Sequence, residues 1–412
     1  MKGYGILFAF VLTSLSATAQ ENEFTLDAQL RTRAEYNNGA IAPRLEGEMP
    51  ANFINERARL SMGWKRENLE LKASLQHTGV WGQDDIKDRN GQVAMNEAWF
   101  KYTSNRSNNY YVQIGRQKLS YDDERLLGGL DWNVAGNWHN AIRTGYDDGE
   151  WKMDIVYAYN QDKENERGGF YAGPMPYKHL GLVWAHYDAE AIPLSLSLLN
   201  LSVGREAGIQ GHGKIKFMNT LGFDLSFRPT DFDIHGAFYY QYGKNAQDTK
   251  VAAWMATAKV GYTINPVWKV NAGYDYLSGN DGGDKVKAFD ALFGTHHKFY
   301  GSMDFFPGKL YCGLQDIQAG VSAQPSKVVN LQLNYHYFLT AQKVGDMSKG
   351  LGHEFDLQLT AKLKKDVTLM AGYSTMLGTE TMDVVKGGYH KSWQDWAWVQ
   401  LNINPRILFT KW

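Results

Sequence analysis

One cysteine, Cys312, occurs in 412 residues, which excludes an internal disulfide framework and a thiolate metal site. Charge of one sign is also missing. The chain carries 43 basic and 44 acidic residues for a net charge of −1, with no basic run, and this argues against a nucleic-acid partner. After the first twenty residues no stretch offers the roughly 20 continuous apolar residues that a membrane helix needs. No linker, low-complexity tract or composition break divides the chain, although its length would allow two or three soluble domains. Catalytic signatures are absent as well: there is no Gly-x-Ser-x-Gly, His-Glu-x-x-His or phosphate loop. Nothing in the sequence calls for a cofactor.

What is present begins with an address. Lys2 gives a positive start, Ile6 to Leu15 is a short apolar core, and Ala17-Thr18-Ala19 is a signal-peptidase-type site. Residues 1–19 therefore read as a signal peptide and 20–412 as one exported domain, with Gln20 as the mature start.

The mature chain alternates. In Leu221-Gly-Phe-Asp-Leu-Ser-Phe227 every odd residue is apolar, and Trp254, Ala256, Ala258, Val260, Tyr262 and Ile264 share one face. Trp268, Val270, Ala272, Tyr274 and Tyr276 do the same after an Asn265-Pro266 turn. Alternation at 180° per residue is the strand signal, with one side in an apolar medium and the other wet. The end aromatics, Trp254 with Tyr262 and Trp268 with Tyr276, lie eight residues apart. At about 3.3 Å per residue and a tilt near 40°, that spans roughly 20 Å of membrane normal, close to the apolar band of about 25 Å of an outer-membrane barrel.

Strands taken by alternation number eighteen, with sixteen or twenty as the neighbouring even counts. Short connections such as Pro229-Thr230-Asp231 and Lys364-Lys365-Asp366 alternate with long ones such as Gly82 to Val93, Leu119 to Asn137, Ser278 to Tyr311 and Leu377 to Gln394. The expected fold is thus all-β, a transmembrane antiparallel barrel with short periplasmic turns and long extracellular loops. A soluble propeller would repeat every 40 to 50 residues, and no such period occurs. The implied location is the outer membrane of a Gram-negative bacterium. The implied partners are membrane lipid, the assembly machinery that inserts barrels, and a solute in the lumen.

The same alternation assigns the lumen. Arg31 and Arg33 on the first strand, and Arg57 and Arg59 on the second, fall opposite the apolar faces. Each arginine turned to lipid at mid-membrane would cost about 2–4 kcal/mol, so all four point inward as a basic patch. Lys72 and Arg143 join it. Asp224, Asp275, Asp316, Glu354 and Asp356 form an acidic wall in the second half. Other chemistry is weak. Asn280-Asp281-Gly282-Gly283-Asp284 lacks the spacing of a calcium loop. His296 and His297 are adjacent and, on a strand, would face opposite ways. Asp122-Asp123-Glu124-Arg125 reads as an exposed acidic loop.

At Gly115-Arg116-Gln117 the chain begins to resemble the alginate-export porin family of Gram-negative outer membranes. Glu124-Arg125-Leu126-Leu127-Gly128, Leu130-Asp131-Trp132-Asn133 and Phe289-Asp290 are similar to that family too. So are Thr295-His296-His297-Lys298-Phe299-Tyr300-Gly301, Met303-Asp304, Gly313-Leu314-Gln315-Asp316 and Gly352-His353-Glu354-Phe355-Asp356. Arg116, Asp131, His297 and Asp304 are the motif residues marked for the site. The resemblance implies an eighteen-stranded monomer that passes an anionic polysaccharide or smaller solutes through a basic constriction. The chain departs from that pattern in its many luminal acids.

The expected function is an outer-membrane channel for diffusion or export of small or anionic solutes, saccharides or polyuronates among them. A general non-selective porin is the alternative, and an outer-membrane enzyme or adhesin is the alternative of another class. The closing strand is expected to reach Asn404, because Pro405 cannot donate to a ladder, leaving Arg406 to Trp412 as a tail or edge extension. Deleting Trp396 onward should abolish folding, since the first strand loses its closing partner. A deletion variant recovered folded in the outer membrane would refute this closure.

Overall fold

The structure, a computed structural model, describes residues 21–85, 92–104, 109–164, 166, 168–208 and 213–412. The signal peptide read over residues 1–19, the junction at Gln20 and part of the loop from Gly82 to Val93 lie outside these. The strands of the first half are β1 (Asn22–Asn38), β2 (Ala51–Arg66), β3 (Leu69–Val80), β4 (Ala94–Thr103), β5 (Tyr110–Gln117), β6 (His139–Asp147), β7 (Trp151–Tyr159), β8 (His179–Asp188) and β9 (Leu194–Ala207). Those of the second half are β10 (Lys214–Phe227), β11 (Phe232–Lys244), β12 (Lys250–Thr263), β13 (Trp268–Leu277), β14 (Leu314–Ser326), β15 (Val329–Thr340), β16 (Gly350–Lys364), β17 (Val367–Gly378), β18 (Gln394–Ile403) and β19 (Arg406–Lys411).

From β1 to β18 each strand pairs antiparallel with its chain neighbours, and β1 closes the circle. The second half of β1 pairs with β18, Leu30 opposite Ile403 through Asn38 opposite Asp395. Its first half pairs with β19, Glu23 opposite Lys411. β18 and β19 are therefore two parts of one stave broken at Pro405, and the barrel has eighteen staves. The break sits at a register shift between Leu26 and Asp27, and the Pro405 carbonyl accepts from the Ala28 amide at 3.0 Å. The segment after Asn404 is an edge extension. A proline is tolerated here because a bulge does not ask for its missing N–H.

The outer face is apolar. Leu60, Leu71, Ile114, Ile142, Ile155, Val183, Leu198, Leu221 and Val260 are all exposed. Cross-strand aromatic pairs edge this band at the short-turn rim: Tyr110 with Tyr146 at 4.8 Å, Trp151 with Tyr187 at 4.6 Å and Phe232 with Tyr262 at 4.9 Å between ring centroids. Trp254 and Tyr276, at 4.5 Å, stand at the opposite rim. Trp254 and Tyr262 lie eight residues apart on β12, roughly 20 Å of membrane normal at about 3.3 Å per residue and a tilt near 40°.

The interior differs from a simple wet lumen. Loop 118–138 between β5 and β6, and loop 278–313 between β13 and β14, turn inward and pair with each other. Phe293 N donates to Leu126 O at 2.9 Å and Gly128 N to Phe293 O at 3.0 Å. Leu119, Leu126, Leu127, Phe289, Phe293, Met303, Phe305 and Phe306 from these loops pack against inward Val156, Leu180, Leu182, Leu201, Met255 and Phe338 of the wall. The apolar core thus lies inside the barrel, where loop side chains cover these inward residues. A third long connection holds a short helix, α1 (Glu380–Lys386), with Met382 N donating to its N-cap Thr379 Oγ1 at 3.3 Å.

The expectation that loop Ser278 to Tyr311 projects outward holds for its tip, residues 281–285, which are exposed. Its phenylalanines draw much of the rest inward. An epitope inserted between Gly282 and Gly283 should be reached by antibody on intact cells. Labelling only after the outer membrane is permeabilised would reverse the orientation.

Candidate functional site

The site grows from the register of β1 and β2. Arg31 stands directly opposite Arg57, and Arg33 opposite Asn55. Like charges directly opposite on a ladder repel, so this wall needs acceptors, and loop 118–138 supplies them. Arg31 donates to the carbonyls of Asp131 (2.5 Å), Trp132 (3.3 Å) and Asn133 (3.0 Å), and Arg33 also donates to Trp132 O (3.1 Å). Arg57 reaches Val134 O at 3.5 Å, and Gln76 reaches Ala135 O at 2.9 Å. Hydrogen bonds with a charged donor are about twice as strong as neutral ones. Four consecutive loop carbonyls, Asp131 to Val134, are held this way, and the neutral Gln76 amide holds the fifth.

One carboxylate completes the clamp. Asp131 lies 3.0 Å from Arg57, 3.9 Å from Arg31 and 4.0 Å from Arg59. Partial burial alone would raise its pKa, but Arg57, Arg31, Lys118 and Arg59 outweigh that and hold it below the ordinary value of 3.8. Next to it, Trp132 is caged. Arg33 sits 3.9 Å over its ring, His297 stacks on it at 4.1 Å, and Trp396 and Trp398 meet it edge-on. His297 is held in turn by Asp304 at 2.8 Å. Arg33 is balanced by Glu35 at 2.7 Å, which also accepts from Asn55 and Trp396.

A second set of contacts fixes loop 278–313 and joins it to loop 118–138. Arg125 is buried and lies 2.8 Å from Asp275 and 2.6 Å from Asp123. It donates to Tyr300 Oη at 3.0 Å and Thr257 Oγ1 at 3.2 Å. Glu354 accepts from Met303 N at 2.8 Å and Asp356 from Ser302 N at 3.3 Å. Gly301 is required beside them: its φ is +84°, and a Cβ would lie 2.6 Å from the Glu354 carboxyl. Asp316 pairs with His336 at 2.9 Å, and the free side of His336 lies 3.7 Å from Asp356.

The structure therefore gathers most of the residues marked in the sequence into two groups. Arg31, Arg33, Arg57 and Arg59 meet Asp131, with His297 and Asp304 behind Trp132. Asp275, Asp316, Glu354 and Asp356 lie together beneath loop 278–313. Four others stand apart: Asp224 pairs with His235 at 2.7 Å, Arg143 with Asp154 at 2.5 Å and Lys72 with Glu97 at 2.7 Å. Arg116 is the fourth; it shares a side of β5 with exposed Ile114 and lies 3.7 Å over the Trp138 ring, away from the clamp. Arg125 corrects the reading of its segment as an exposed acidic loop. The signal was the apolar company of Tyr121, Leu126 and Leu127, which a solvated loop would not carry. Trp132, Trp396 and Trp398 were also missed as site residues. The two histidines lie on a single 3₁₀ turn, His296–Lys298, rather than on a strand.

A closed eighteen-stave barrel with an apolar belt, aromatic girdles and loops folded into its lumen is an outer-membrane, porin-like channel. The chain belongs to the alginate export family, whose model matches residues 22–381. Among solved structures it is similar to OccK9 (OpdG) of Pseudomonas aeruginosa, with a TM-score of 0.65 at 10% identity over 93% of this chain and 98% of that one. OccAB1 of Acinetobacter baumannii gives 0.64 at 10% identity, covering 93% and 97%. OccK2 (OpdF) of P. aeruginosa, solved in complex with glucuronate, gives 0.62 at 10% identity, covering 93% and 98%. A search of curated proteins found no significant match.

Removing one member of a buried ion group leaves its partner uncompensated, at about 3–5 kcal/mol. Arg125→Leu should therefore release both loops. Trypsin should then cut at Lys298 in folded protein that retains its barrel β-signal in circular dichroism. Unchanged resistance at that site would show that Lys259, 3.6 Å from Asp275, suffices.

Proposed function

We propose that this channel passes small solutes bearing a carboxylate, uronates and related saccharides among them, and that it is not an enzyme. The carrying observation is the wall of Arg31, Arg33, Arg57 and Arg59, where four guanidiniums face the two carboxylates Asp131 and Glu35. Positive charge left over on a low-dielectric wall raises the local concentration of anions. Family membership supports the reading, and so does the glucuronate in OccK2, a sugar with one carboxylate. The acids that might favour a non-selective porin are engaged elsewhere. Asp275, Asp316, Glu354 and Asp356 are buried under loop 278–313. The same proposal takes the protein as a monomer, exported by the leader over residues 1–19 and inserted by the barrel-assembly machinery.

Arg59 suits the test because it bonds Gln76 and faces the Asp131 carboxylate rather than holding loop carbonyls. In planar bilayers Arg59→Gln should move the reversal potential toward cations. Replacing all four arginines by Gln should move it further while also loosening loop 118–138. Both shifts should shrink at 1 M salt, where the Debye length is about 3 Å. Folded variants with the wild-type reversal potential at low salt would leave a general porin.

A further inference from the structure

We infer that Asp131 is a tethered stand-in for the solute: its carboxylate occupies the seat that a solute carboxylate takes on the arginine wall, and it swings away when one arrives. The inference rests on the anionic reading above and says where and how the anion binds.

Three observations carry it. The first is an asymmetry of burial. The Asp131 side chain is 62% exposed, whereas those of Arg57, Arg31 and Arg59 are 0%, 5% and 10% exposed. The arginines form a fixed floor, and the carboxylate lies on its open side. A carboxylate that served only to cement the loop would be enclosed along with its partners. The second is unspent capacity. Only Arg57, at 3.0 Å, is within hydrogen-bonding distance of the Asp131 carboxylate, while Arg31 and Arg59 stand at 3.9 and 4.0 Å from it. Among the described residues, buried Arg31 Nε finds no acceptor. Arg57 Nη2 likewise makes no full hydrogen bond, and Arg59 spends only Nε and Nη2, both on Gln76. These two guanidiniums are thus poised for a better-placed anion, and a planar fork is built for a carboxylate.

The third observation is mechanical. Loop 118–138 is held through its backbone, by the carbonyls of Asp131, Trp132, Asn133, Val134 and Ala135. The Trp132 ring is locked by Arg33 and His297. The Asp131 side chain can therefore rotate into the open lumen while every one of those anchors stays made. Exposed side chains change rotamer in picoseconds to nanoseconds, so the exchange keeps pace with permeation. While it is seated, Asp131 prevents the arginines from trapping each passing anion, because a tethered competitor acts at an effective concentration on the order of millimolar. The ligand class is a monocarboxylate on a polar, hydroxylated body.

Single-channel recording tests this with sodium glucuronate as the probe and glucose as the neutral control. Asp131→Asn keeps the shape and removes the competing charge. Glucuronate should then interrupt the current at about tenfold lower concentration, or lower still, than in the wild type, with longer dwell times and no gain for glucose. Asp131→Ser should behave the same way and serves if the Asn variant fails to insert. Asp131→Glu, a longer tethered carboxylate, should restore the wild-type response. Glucuronate interruption unchanged or weakened in both neutral variants overturns the stand-in role. So does an equal gain for glucose, which would mean that the loop had merely loosened. A wild-type channel without anion preference, in which neither the wild type nor the variants respond to glucuronate, overturns the anionic reading itself. An anion-selective wild type with indifferent variants overturns only the role of Asp131.

Discussion

A loop carried into the middle of a barrel brings its peptide carbonyls away from bulk water, and each of those must find a donor or cost free energy comparable to a lost hydrogen bond. That constraint organises this interior. The donors for loop 118–138 are the guanidiniums of Arg31, Arg33 and Arg57 with the amide of Gln76. The converse need is met by the same contacts. Arg31 and Arg57, facing each other across the ladder, could not stand together without acceptors between them. Wall and loop are each unstable alone in this geometry and compatible together.

The second loop obeys the same rule with the signs reversed. Loop 278–313 presents amides rather than carbonyls to the wall at Ser302 and Met303, and it meets Asp356 and Glu354. Arg125 ties the two systems by placing a cation of the first loop against Asp275 of the wall and Tyr300 of the second loop. The division of the lumen into a basic and an acidic side is therefore a division between two loop seats. One seat, around Asp131, retains positive charge and an open face. The other is closed over by Phe305, Phe306 and Met303.

Much of this was legible along the chain. Period-two alternation, aromatics at strand ends and the alternation of short and long connections specify a closed barrel, because a bilayer rewards an apolar outer face and forbids unpaired edges. The count of eighteen strands read from the alternation equals the eighteen staves of the barrel. The inward direction of the four arginines followed from the cost of placing them in lipid. The end of the closing strand before Pro405 followed from its missing N–H, while the pairing of Arg406–Lys411 with β1 decided between tail and edge extension. The motif residues Asp131, His297 and Asp304 could be marked by resemblance, without any indication of what they touch.

What the sequence by itself determined was the face each strand residue occupies, since alternation is a local property of the chain and the membrane is a uniform solvent on one side. Only the tertiary structure decided what fills the other side. The lumen is heterogeneous. Leu180, Leu182 and Leu201 point inward as readily as Arg31 or Asp275, because loops more than a hundred residues apart cover them. No local period records such a contact. The pairing of Leu126 with Phe293 and the meeting of Asp131 with Arg57 exist only once eighteen staves have closed and brought distant loops into one enclosed space.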